Sequence, residues 1–233
     1  MNNNKYYPHL SVECVLIGFD GDELKVLLLE RTDIISEEHF NDKKLPGRLI
    51  YIDEDLDEAA ESVLKEFTGL DGAYLKQFKT FGSPNRTSDP RDVKWLENAV
   101  NLQIGRLVTV AYMAVVKIGS RSNKLDSKYQ AQWISVKDLP QLAFDHNIII
   151  SEALNEIKRL IETDPLVLSE FLPVKFTALQ LRRLFEQIYN KEIDVRNFHK
   201  KIKSMKYIVQ LDEKEENVSH RAASYYRFDK KKI

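Results

Sequence analysis

Two groups of side chains in this 233-residue chain could do chemistry. The first is acidic. In "LPGRLIYIDEDLDEAAESVLKEFTGL", from Leu45 to Leu70, the carboxylate Glu54 precedes a helical pattern that contains Glu66, and positions 63, 66 and 67 fall on one helix face. Three carboxylates so placed could hold Mg²⁺, a hard cation that takes oxygen ligands, polarises a diphosphate and activates water. The residues present are Val63, Glu66 and Phe67, so one carboxylate stands where the chemistry needs three. Asp57, Glu58 and Glu61 do not restore the cluster. No catalytic residue and no metal ligand is assigned, and no cofactor is expected.

The second group is basic. "DVRNFHKKIKSM" carries Arg196, Asn197, His199, Lys200 and Lys203, with Val195, Phe198, Ile202 and Met205 at helical spacing to hold a short helix against a core. Arg and Lys suit phosphates, and Arg or Asn near a helix start can pair with guanine or adenine edges. Each of these residues also reads, alone, as an ordinary solvated helix position. Together with a two-stranded pattern that follows, they point to double-stranded DNA.

Elements that would position both groups are legible from period and punctuation. "LSVECVLIGF" and "LKVLLLERT" are apolar, β-branched runs joined through "DGDE", a hairpin signal. A helix is expected from Asp55, with apolar positions from Leu56 to Phe67 and Gly69 as terminator. "YLKQFKTFG", "LVTVAYMAVVKI" and "YQAQWISV" read as strands, the second of them central, and "NIIISEALNEIKRLIET" as an amphipathic helix closed by Asp164-Pro165. "SPNRTSDPRDVKWLENAVNLQIG" reads as a long functional loop carrying Arg86, Arg91, Trp95 and Arg106. Further on, Thr177 and Asp194 are helix N-cap candidates, and Leu179, Leu181, Leu184, Phe185 and Ile188 form an apolar stripe. "YIVQL" and "ASYYRF" then make two strands joined by a polar turn with His220 and Arg221.

Composition agrees with this division. Hydrophobic residues make up 43% and charged residues 30%, enough for a packed core under a polar surface. No apolar run approaches the roughly 18 residues that would span a bilayer, and "MNNNKYYPHL" lacks a signal-peptide pattern, so no membrane partner and a cytoplasmic location are expected. The single cysteine, Cys14, excludes an internal disulfide and lies in an apolar run where a buried structural thiol is expected. The net charge of −1 conceals an asymmetry: 20 basic against 27 acidic residues through Pro165, then 15 against 9, that is −7 followed by +6. An acidic part precedes a small basic part suited to a polyanion.

The acidic stretch resembles the Nudix box, in which a glycine, an isolated glutamate, an Arg-Glu pair and a Glu-Glu pair recur at fixed spacing. Anchored on Gly69, the match keeps Glu54, Glu66 and Gly69, while Arg48, Ser62, Val63 and Phe67 depart from it. With "FTALQLRRLFEQIYNKEIDVRNFHKKI" and "LPQLAFDHNIII", nearly the whole chain resembles the Nudix-related transcriptional regulators, some of which sense ADP-ribose and others control pentose use. The resemblance implies an α+β fold: a Nudix-like mixed-sheet α/β/α sandwich over 1–163 that senses an effector, then a winged helix-turn-helix over 164–233. It further implies a homodimer on a palindromic operator, with DNA affinity altered by a small molecule.

Candidate DNA contacts are Thr177, Arg196, Asn197, His199, Lys200, Lys203, His220 and Arg221; candidate effector contacts are Arg31, Arg48, Tyr51, Glu54, Glu66 and Arg86. Because the acidic set is eroded, a sugar effector is expected ahead of ADP-ribose, which stands as the alternative together with a residual hydrolase.

Overall fold

The computed structural model describes residues 5–31, 42–69, 74–118, 130–216, 219, 222–229 and 231. Its first part is a mixed sheet built on β1 (Tyr6–Phe19). β2 (Leu24–Glu30) returns antiparallel through the expected Asp-Gly turn, where Gly21 has φ 105°, a left-handed value that favours glycine. β3 (Lys43–Lys44) and β4 (Gly47–Tyr51) follow, pairing with β2 and β1. β5 (Tyr74–Phe81), β6 (Val108–Lys117) and β7 (Gln132–Ser135) complete it, in the order β3-β2-β1-β6-β5 with β7 on β2. β1 and β6 run parallel from Leu10↔Val108 to Phe19↔Lys117; the other strand pairings among the described residues of this sheet are antiparallel, with one isolated parallel bridge between Lys43 and Leu142.

That parallel pair is buried on both faces, which is why its sequence is apolar without alternation. Alternate side chains nevertheless serve different layers. Cys14 and Leu16 face α1 (Leu56–Thr68), packing with Ala59, Ala60, Val63 and Leu64, whereas Val15, Ile17 and Phe19 pack with Ile149, Ile150 and Ala153 of α3 (His146–Thr163). Burial pushes the Cys14 thiol pKa up, as suits a structural thiol. The result is helix, sheet, helix.

The helix α1 begins and ends where its sequence says it should. Asp55 caps it through a reciprocal box with Glu58, and Gly69 closes it at φ 66°. The stretch from Ser83 to Gly105 is not a loop. It folds into a 3₁₀ turn (Pro84–Thr87) and α2 (Pro90–Val100), capped by Asp89 and closed by Asn101 at φ 52°. Leu96 of α2 packs with Leu49, Ile104 and Leu107, a third small cluster roofing one end of the sheet.

Past Thr163 a 3₁₀ segment (Pro165–Glu170) leads to β8 (Phe176–Thr177), α4 (Ala178–Tyr189), α5 (Val195–Ser204), β9 (Ile208–Lys214) and β10 (Ser224–Phe228). The three strands form one small sheet in the order β8-β10-β9. Helix, turn, helix and a strand pair behind them give the winged arrangement. Leu181, Leu184, Phe185, Ile188, Phe198, Ile202 and Met205 are buried in the same continuous core that contains Ile157, Leu160 and Ile161 of α3. Two apolar residues expected inside are outside: Leu179 is 45% and Val195 51% exposed, both at the first turn of their helices where the face has not yet met its partner.

Candidate functional site

A cavity of about 690 Å³ opens between the sheet, α1 and α2, within the size range of small-molecule sites. Its aromatic wall is Tyr6, Tyr51, Trp95 and Phe144; its α1 side is Val63, Glu66 and Phe67. Val63 and Phe67 are 1% and 6% exposed, so the helix face that would need carboxylates is closed by hydrocarbon. Among the described residues no group of three His, Cys, Asp or Glu side chains is placed to hold a metal. The donor set does not fit Mg²⁺: Glu66 offers one carboxylate and its helical neighbours offer none.

Polar groups line the deep end. Glu13 projects from β1 over Gly47 of β4, where a Cβ would collide with its carboxylate and with the Val12 carbonyl. Lys44 Nζ donates to the backbone carbonyls of Leu45 (3.0 Å) and Gly47 (3.2 Å). His146 Nδ1 accepts the Leu45 N–H at 2.9 Å, so the neutral ring carries its proton on Nε2. Burial sets the ionisation of all three. It raises Glu13 to about 7, lowers Lys44 from its ordinary value, and drives His146 well below the usual histidine range with help from the Lys44 and Arg86 charges. None of these three was singled out from sequence, because each looks like a strand or helix residue until distant segments enclose it.

The six candidate effector residues separate. Tyr51 and Glu66 line the cavity. Arg48 lines it too, but its guanidinium is paired with Glu54 and stacks at 4.1 Å over the Tyr51 ring. Glu54 accepts from Arg48 and from the Tyr51 N–H at 2.5 Å, and Arg48 holds its carboxyl below the ordinary range. It braces the turn into α1 rather than facing the cavity. Arg86 reaches the cavity edge while donating to Asp145 at 2.8 Å and to Thr109, whose hydroxyl meets Ser11 at 2.5 Å. Arg31 is 1% exposed and saturated by Asp42 and Asp92. Its charge is spent holding α2 to the sheet, since Asp92 also accepts the Phe144 N–H at 2.9 Å. Arg31 is therefore removed from the effector set, whereas Lys44, which donates to two backbone carbonyls and lies 5.6 Å from the centre of the Trp95 ring, is a cation on the cavity wall.

At the other end, α5 presents Arg196, Asn197, His199, Lys200 and Lys203, all exposed, while Phe198 and Ile202 are 1% and 2% exposed beneath them. Asp194 caps α5 by accepting from the Asn197 N–H at 2.8 Å. Glu186 fixes the approach to it, accepting from Arg182 at 2.6 Å and from the Ile193 N–H at 2.9 Å. Thr177 does not belong with the exposed set. It is 5% exposed, and its hydroxyl accepts from the Gln180 N–H at 3.3 Å in a capping box. It orients α4 rather than offering its side chain to DNA. His220 and Arg221 lie outside the described residues.

A sandwich with a ligand-sized cavity, followed by a winged helix with a basic face, defines a Nudix-like domain joined to a DNA-binding module of the winged type. A family model described as the NrtR DNA-binding winged helix domain matches residues 168–228. Over 225 residues, 95% of this chain and 82% of the relative, the chain is 24% identical to the ADPR responsive transcriptional repressor NtrR of Acinetobacter baylyi. It is 28% identical over 148 residues, 64% of this chain and 76% of the relative, to the ADP-ribose pyrophosphatase of Methanocaldococcus jannaschii. The crystal structure of Shewanella oneidensis NrtR complexed with a 27mer DNA matches with TM-score 0.70 and 25% identity, covering 94% of this chain and 93% of that one. The chain is homologous to NrtR: a Nudix-like domain carrying an NrtR-type winged helix domain.

Proposed function

We propose that this protein is an effector-responsive transcriptional regulator that binds ADP-ribose in its Nudix-like cavity without cleaving it, and binds duplex DNA through α5. The observation that carries the reading is one contrast. The helix that would hold catalytic metal is closed by Val63 and Phe67, while the cavity beside it has a volume of about 690 Å³, aromatic walls and the Lys44 side chain. Such a cavity can bind an anionic nucleotide sugar but offers little to hold the metals that cleave one. The relatives' names speak of ADP-ribose, and nothing in them supports the pentose effector expected from the sequence. ADP-ribose therefore replaces the sugar as the preferred ligand.

On this reading residues 1–163 sense and residues 164–233 read. Arg196 and Asn197, at the start of α5, meet base edges, and His199, Lys200 and Lys203 meet phosphates. A homodimer on a palindromic operator would set its two α5 helices about 34 Å apart, one turn of DNA. ADP-ribose then acts by favouring one spacing, and its effect is limited to its differential affinity for the two arrangements.

The test is fluorescence anisotropy on a duplex from the protein's own upstream region, titrated with ADP-ribose and with pentoses. We expect ADP-ribose alone to change DNA affinity, and DNA binding itself to weaken steeply as salt rises. No DNA binding at low salt would refute the regulator, and a response to a pentose only would refute the ligand. The pyrophosphatase relative makes hydrolysis the second reading. Turnover of ADP-ribose with Mg²⁺ or Mn²⁺, abolished by Glu66→Gln, would establish it instead.

A further inference from the structure

Glu13, a residue of the cavity lining, carries a buried acceptor that the described residues leave unused. Among the described residues, two buried side-chain atoms lack a hydrogen-bond partner, Glu13 Oε2 and Trp133 Nε1, and of these residues only Glu13 lines the cavity. Its position is built. Glu13 sits on the central parallel pair, opposite Ala111 of β6 and Gly47 of β4, and the missing side chain at 47 is what lets the carboxylate lie across β4. Buried acceptors in folded proteins find a donor from the chain, from water or from a ligand. Here the described residues supply none at Oε2.

We propose that Glu13 is a specificity-determining residue of the effector site, its carboxylate accepting a hydrogen bond from a ribose hydroxyl of the bound ligand. This rests on the ADP-ribose reading above. The charge pattern selects a neutral donor: an ionised carboxylate accepts hydrogen bonds and repels phosphate, so the diphosphate lies towards Lys44 and a hydroxyl towards Glu13. A ligand that carries both an anionic group and a neutral hydroxyl satisfies both groups at once, which a simple hydrophobe does not.

The hydrogen bond is stronger to the ionised carboxylate, so ligand binding is linked to loss of the Glu13 proton. Groups facing Glu13 are Lys44 from β3, Arg86 from the 3₁₀ turn and Asp145 ahead of α3, with His146 and Glu66 on the cavity wall. With Glu13 at about 7, its ionised fraction rises roughly ten-fold from pH 6 to pH 8. The diphosphate diester of ADP-ribose does not titrate in that range.

The experiment is calorimetric titration of the full chain with ADP-ribose at pH 6, 7 and 8, for wild type and Glu13→Gln. Wild-type Kd should fall about ten-fold across the range, while the isosteric variant should bind at least ten-fold more weakly at pH 8 and change by less than about two-fold with pH. Comparing the two profiles cancels the titrating groups that do not feel the Glu13 charge; Lys44 and Cys14 do feel it. Thermal unfolding of the variant at pH 8 checks that it is folded. Wild-type binding with an identical variant profile overturns this inference alone. Absence of wild-type binding at millimolar ADP-ribose overturns the effector reading and this inference with it.

Discussion

Glu13 also makes a prediction about the free protein. In an unfolded chain a glutamate ionises near 4.5; in the fold burial holds Glu13 at about 7. The folded state therefore binds the proton more tightly, and stability falls as pH rises from the lower value to the higher. Below 4.5 the group costs nothing through this route. Above 7 the full penalty applies: 2.5 units at 1.36 kcal/mol each is about 3 kcal/mol. Glu13→Gln keeps the shape and cannot ionise, so it escapes that penalty. The difference in unfolding free energy between variant and wild type should shift in the variant's favour by about 2 to 3 kcal/mol between pH 5 and pH 8. Urea unfolding of both proteins at the two pH values measures it. Taking the difference removes His146, whose own depressed pKa works in the opposite sense: it favours the fold above the ordinary histidine range and is lost as pH falls. A variant-minus-wild-type difference that is the same at pH 5 and pH 8 would show that Glu13 is not desolvated in solution, and the argument would fail.

Three other substitutions test separate parts of the structure. Gly47→Ala drives a methyl group into the Glu13 carboxylate and the Val12 carbonyl, and chemical denaturation should show a loss of about 1–3 kcal/mol, smaller when Glu13→Ala is present too. Arg196→Ala should leave the unfolding midpoint unchanged, because the side chain is exposed, and should weaken operator binding by about 1–3 kcal/mol in anisotropy titrations. Thr177→Ala should do the reverse: lose about 1 kcal/mol of stability with its capping bond, and leave the salt dependence of DNA binding unaltered.

Local signals carried the sequence reading a long way. Asp55, Gly69, Thr177 and Asp194 terminate helices through bonds to residues three or four positions away, and such bonds are written in the sequence itself. The Asp-Gly hairpin was legible for the same reason. α2 was not, although Asp89-Pro90 opens it and Asn101 closes it in the manner of any capped helix. Its few apolar residues face a cavity as much as a core, so the periodic signal is thin. The ion pairs of two cationic candidates were hidden for a different reason. Arg31 and Arg86 look like phosphate ligands until Asp92 and Asp145, more than fifty positions away, are folded against them. Glu13 shows the converse: its surroundings read as core strand, and only the approach of β4 turns it into a cavity group.

The uninterrupted apolar packing between α3 and the winged segment has a consequence for how a signal can travel. With Leu184 and Phe185 sharing one interior with Ile157 and Leu160, the reading head is bolted to its sensor and cannot swivel on a tether. The ion pair from Arg183 to Asp22 at 2.8 Å fastens the same joint from outside. On the dimeric reading proposed above, each subunit would behave as one stiff lever, and occupancy of the cavity would reach the DNA by tilting whole subunits against each other. Cutting the chain at Thr163 would bare apolar surface on both halves of that joint.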